Sequence, residues 1–146
     1  MDPHEDEEVL TEELLNELLF SSSAGHYIDT HDLATSSLSG YLTQLLREKD
    51  LKKSEVIKKS GLNETFAYQI FSGDRKASRN KVLQLAFAME LSLREAQRLL
   101  KQAGVNELYC KNRRDAIIIY CLSRKCPLIK VDAELYKFGE ETITEA

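Results

Sequence analysis

Between Leu38 and Gly104 the apolar residues recur every three or four positions, and the pattern is cut repeatedly by helix-capping residues. That punctuation constrains the fold more than any other feature, because it admits only short helices. Leu38, Tyr41, Leu42, Leu45 and Leu46 form one helical stripe. Residues 53–60 make a short second helix that buries Val56 and Ile57, and Gly61 can take the positive φ that ends it. Asn63 is an N-cap for a third helix over 64–72 with Ala67, Ile70 and Phe71 inward, and Gly73-Asp74 turns the chain. Ser78 caps a fourth helix that buries Val82, Leu83, Ala86 and Met89. Ser92 with Glu95 forms a capping box for a fifth, over 93–103, closed by Gly104.

The flanks read differently. Asp2-Pro3 is a cap followed by an N1 proline, and Leu10, Leu14 and Leu18, with Leu15 and Leu19 alongside, make an apolar stripe on an acidic helix over 1–20. Residues 21–37 are rich in Ser and Thr without periodicity and read as a flexible linker. The domain of short capped helices spans 38–104, and 105–146 is a C-terminal helical extension. Within it, Asn112 and Asp115 predict a capped helix through Ile117-Ile118-Ile119, a run whose β-branching would also suit a buried strand. No second strand candidate exists to pair with it, which favours helix. Pro127 can open a last helix with Leu128, Val131, Leu135 and Phe138 inward and Gly139 at its end. The fold class expected is all-α.

Composition excludes several classes. With 146 residues and 42% apolar content, the chain can build a core without disulfides or metal. No apolar run approaches the ~18 residues of a membrane span. The acidic N-terminus is neither a secretory signal nor a transit peptide. Cys110, Cys121 and Cys126 contain no CxxC and read as reduced thiols of a cytoplasmic protein. The net charge of −4 hides an asymmetry: −10 over residues 1–36, which hold no Lys or Arg, +6 over 37–103, and zero beyond. A basic block attracts phosphate or acidic partners, although a solvated helical surface has the same composition.

Function is carried by Leu51 to Gly73, two short helices joined by a tight turn with Gly61 ninth from Lys53. Helices that cross steeply need a positive-φ residue in the turn. Here the sequence resembles the lambda-repressor/Cro-like helix-turn-helix (XRE) family, over five helices from Leu38 to Ala103, and the trailing Ile70-Phe71-Ser72-Gly73 is similar to that family's end to its third helix. There are departures. Ile57 stands where the family usually has Ala, and Ala67 where it has Ile or Val, an exchange of volume between facing positions. Lys53 replaces a frequent Gln, and Lys52 a frequent Ser or Thr cap.

The resemblance implies a sequence-specific transcriptional regulator that docks helix 64–72 in the major groove of double-stranded DNA, often as a homodimer on palindromic half-sites. Lys53, Glu64, Thr65 and Gln69 would face base edges, with Tyr68 on the same face. Gln69 could pair an adenine, Thr65 touch a thymine methyl and Glu64 accept from cytosine. Ser72, Arg75, Lys76 and Arg79 would hold phosphates, with Lys52 and Lys59 adding field. The competing reading is a protein-binding adaptor controlled by phosphorylation. It rests on Phe66 and Tyr68, large rings on the same outward face, and on Glu64, which repels phosphate.

Other constellations carry less. Arg75-Lys76-Ala77-Ser78 resembles a site for a basic-residue-directed kinase, against the plain reading of Ser78 as an N-cap. His4, His26 and His31 lack ligand spacing, so no metal or other cofactor is expected, and no nucleophile with a base and an orienting group points to an enzyme. The acidic helix can dock a protein partner, fold over the basic face as an inhibitory arm, or pack as an extra helix. The Ile117–Ile119 run either completes the monomer core or forms a dimer seam.

Overall fold

A computed structural model describes residues 3–24 and 37–145. The Ser/Thr linker therefore lies, over 25–36, outside the described residues. Among the described residues there are eight α-helices and no strand: α1 (Pro3–Phe20), α2 (Leu38–Glu48), α3 (Lys53–Ser60), α4 (Glu64–Ser72), α5 (Arg79–Ala88), α6 (Leu93–Gln102), α7 (Arg113–Ser123) and α8 (Leu128–Lys137). The fold is all-α, and the Ile117–Ile119 run is helical.

Cap chemistry explains most boundaries. Ser37, Asn63, Ser92 and Asn112 each accept a backbone N–H in the first turn of their helix. At α6 the box closes both ways, with the Ser92 N–H donating to Glu95 Oε1 at 2.9 Å. Lys52, Ser78 and Pro127 precede α3, α5 and α8 without a side-chain capping bond, so Ser78 holds the N-cap place but not the expected cap contact. Pro127 thus stands one place before the helix it was expected to open from within.

The chain divides into two units, 1–35 and 36–146. The first contains α1, whose Leu15, Leu18, Leu19 and Phe20 are exposed. In the second, α5 is the central helix and is buried continuously from Val82 to Ala88. It packs against α3, α6 and α8, while α2 packs against α4 and α6, and α7 against α6 and α8. Ile57 and Ala67, the exchanged pair, are both buried. Ile118 belongs to the core, with Ile117 and Ile119 partly buried against it.

Two features of the C-terminal region depart from expectation. Phe138 is exposed rather than inward, because α8 stops at Lys137 and the backbone turns at Gly139 with φ +73. Residues 140–145, which have no helical pattern, are nevertheless part of the packed unit, and Ile143 is buried. Asp132 holds this tail by accepting the Ile143 and Thr144 backbone N–H groups and the Thr144 hydroxyl. Arg114 donates to the carbonyls of Glu141 and Thr142 and to Asn80 Oδ1, which ties the tail to the start of α5.

Candidate nucleic-acid interface

The α3–α4 turn is built on a left-handed residue and a buried polar pair. Gly61 takes φ +73, ψ 4. Ser60, fully buried, donates its hydroxyl to Ile57 O at 2.6 Å and accepts the Leu62 N–H at 3.2 Å. From α5, buried Gln84 donates Nε2 to Ser60 O at 3.0 Å. Buried polar groups persist only when satisfied, so Ser60 and Gln84 hold the end of α3 and the start of the turn against α5. Sequence reasoning missed both. The available signal was a glutamine inside the apolar run Val82-Leu83-Gln84-Leu85-Ala86.

Asn63 then starts α4 by accepting the Phe66 N–H at 3.0 Å, and Gly73 at φ +88 ends it. Ala67, Ile70 and Phe71 face the core. Glu64, Thr65, Tyr68 and Ser72 lie exposed on the opposite side, with Gln69 half-buried at its edge. Lys53 is exposed at the start of α3, its ammonium 5.8 Å from the Phe71 ring centroid.

The cations after α4 divide into two groups. Arg75 and Lys76 are exposed, and Lys81 is half-buried. The Arg75 Nε donates to Gln69 Oε1 at 2.8 Å, so these two side chains act together. Gln69 keeps its amide donors and one acceptor lone pair, and Arg75 keeps its terminal nitrogens. Ser72 shares its hydroxyl between Gln69 O at 3.1 Å and Asp74 Oδ2 at 2.8 Å. Phe66 is not a free apolar ring: it is half-buried, with Arg75 5.5 Å and Lys81 4.3 Å from its centroid.

Arg79, expected among the phosphate-holding residues, forms the second group, because its guanidinium is engaged within the fold. Its guanidinium meets both Asp115 oxygens, at 2.9 and 2.8 Å, and the carbonyls of Asn106 and Glu107 at 2.9 and 3.0 Å. With four of its five N–H donors engaged by Asp115 of α7 and by the Asn106 and Glu107 carbonyls, Arg79 clamps the start of α5 to the 106–115 segment. Asp115 also accepts the Tyr109 N–H at 3.0 Å. Burial on its own would raise the Asp115 carboxyl. The Arg79 and Tyr109 hydrogen bonds and the charges of Arg79 and Arg114 outweigh it and hold the group below its ordinary value.

Between α4, the start of α5 and the tail lies a cleft of about 530 Å³, lined by Thr65, Phe66, Gln69, Arg75, Lys81 and Glu145 among others. The cation-covered Phe66 ring lines it, as do Thr65 and Gln69, two of the residues expected to meet bases. Among the described residues no group of three His, Cys, Asp or Glu side chains is placed to hold a metal. No helix of the described residues is long and apolar enough to cross a membrane. Comparison with protein-family models, with curated proteins and with solved structures finds no match.

Proposed function

We propose that the chain is a sequence-specific double-stranded-DNA-binding regulator of the lambda-repressor-like kind, with α2–α6 as its five-helix domain. One observation carries the reading. Helices α3 and α4 meet at a turn locked by Gly61, Ser60 and Gln84, and this leaves the polar face of α4 exposed beside a group of cations. A rigid short helix with an exposed face suits a major groove, and flanking cations suit phosphates. Lys53, Glu64, Thr65, Tyr68 and Gln69 are the base-facing set. Arg75 and Lys76 hold the backbone together with Lys81, and Ser72 joins them when its hydroxyl turns from Gln69 O and Asp74 to a phosphate oxygen.

The Arg75–Gln69 bond refines the roles. Gln69 reads a base while its amide is oriented by Arg75, so the loss of either residue disturbs the same base pair. The adaptor reading keeps Tyr68, which is 39% exposed, but loses Phe66 to its two covering cations.

The test is selection from a random duplex pool with the full chain and with a 37–146 form, at low and moderate salt. A recovered motif sustains the reading, and its half-site spacing reports whether one or two copies bind. Binding by the shorter form alone assigns the acidic arm an inhibitory role. Absence of binding by both at low salt overturns the proposal and directs the search to protein partners of the Tyr68 face.

A further inference from the structure

We propose that Ser78 is a phosphorylation site for a basic-residue-directed serine/threonine kinase, and that its phosphate closes the cleft beside α4 to nucleic acid. The second half rests on the DNA-binding reading; the first does not.

Three observations converge on Ser78. The first is sequence: it is the one serine or threonine of the chain with an arginine three residues before it, Arg75, and Lys76 follows that arginine. Kinases with acidic peptide-binding clefts recognise cations at these places. The second is availability. Ser78 is exposed, and Arg75 and Lys76 are exposed with it. It occupies the N-cap of α5, yet its side chain makes no capping bond, whereas Ser37, Asn63, Ser92 and Asn112 each make theirs. The hydroxyl is therefore not spent on the structural role that the sequence assigns it. The third is backbone shape: residues 75–78 are non-helical, and Ser78 itself is extended at φ −68, ψ 164.

The surroundings define what the phosphate would do. In the transfer, Ser78 Oγ bonds to the γ-phosphorus of ATP, the bond from that phosphorus to ADP breaks, and the hydroxyl proton passes to the kinase's carboxylate base. Ser78 lines the same cleft as Arg75, Asn80 and Lys81. A phosphoserine there carries about −1.5 to −2 charge. It draws on the two cations that otherwise meet DNA phosphates, and it repels the DNA backbone directly. Arg79, the following residue, stays clamped to Asp115, so the modification leaves the start of α5 in place.

The experiment treats the folded full chain with Mg-ATP and a purified kinase of this specificity, alongside Ser78→Ala. Site mapping by mass spectrometry is the first readout and needs no DNA. Phosphate at Ser78 approaching one per chain, lost in Ser78→Ala while the alanine chain melts like the wild type, supports the site. Phosphate confined to other residues, such as the serines and threonines of residues 21–37, overturns it. The second readout is affinity for a duplex at low salt. A fall of roughly tenfold or more, with a shallower salt slope, supports closure of the cleft. Unchanged affinity of the stoichiometrically phosphorylated chain overturns closure. If the unmodified chain binds no duplex, the DNA reading has failed, and the mass spectrum still decides the site.

Discussion

Replacing Arg79 with Met tests the reassignment of this residue from ligand contact to clamp. The substitution keeps the aliphatic stem and removes the guanidinium that meets Asp115 bidentately at 2.8–2.9 Å. Asp115 is then left as a carboxylate with 7% of its side chain exposed, supported by the Tyr109 N–H and the more distant Arg114. Breaking a buried pair from one side costs about 3–5 kcal/mol. The Arg79 side chain is 26% exposed, so water partly replaces it, and the expected loss is about 2–3 kcal/mol. The Asn106 and Glu107 carbonyls are on exposed residues and regain water at little cost. The assay is urea unfolding at pH 7 of wild type, Arg79→Met, Asp115→Leu and the double variant. The double variant should recover much of the loss, because an apolar pair leaves no buried charge. A loss below about 0.5 kcal/mol, or additive effects, would refute the clamp. If folded Arg79→Met instead lost DNA affinity with a salt slope smaller by about one, Arg79 would return to the phosphate-holding set.

Gly61→Ala should cost about 1 kcal/mol in thermal or urea unfolding through its φ of +73 alone, since an added Cβ meets only Gln84 Nε2 at 3.9 Å; Gly61→Asn should cost less. The depressed Asp115 carboxyl contributes stability above its ordinary value of 3.8, and this is lost as pH falls through that value towards its folded pKa. Urea midpoints measured from pH 7 down to 3 should therefore fall more steeply in the wild type than in Asp115→Asn. Gln69→Ala should relax preference at one base pair by ~1–3 kcal/mol in a competition assay, whereas Lys76→Ala should weaken all sequences alike.

The helix ends were legible because their signals are local: Gly61, Asn63, the Ser92–Glu95 box and Asn112 act within four residues of themselves. What escaped the sequence depends on distant partners. Arg79 sits in a basic block, and its partner Asp115 is 36 residues on, so periodicity and charge counts place it among free cations. Phe66 reads as an outward ring because its helical position is outward; Arg75 and Lys81, which cover it, come from a loop and the next helix. The tail has no pattern to read, since backbone bonds to Asp132 and Arg114 hold it, with Ile143 as its one deeply buried apolar side chain. Ser78 stands at the start of α5 where its sequence position puts an N-cap, but whether its hydroxyl makes the capping bond is a matter of rotamer that sequence does not encode.

Duplex binding by the α3–α4 face is tested most directly by an amide-resolved NMR titration of the full chain with a short random-sequence duplex at low salt. The shifted amides should cluster at the start of α3, along the exposed face of α4 and over residues 75–81, and should return as salt is raised. Shifts centred on the exposed Ile129 and Tyr136 of α8, or no shifts at saturating duplex, would contradict it.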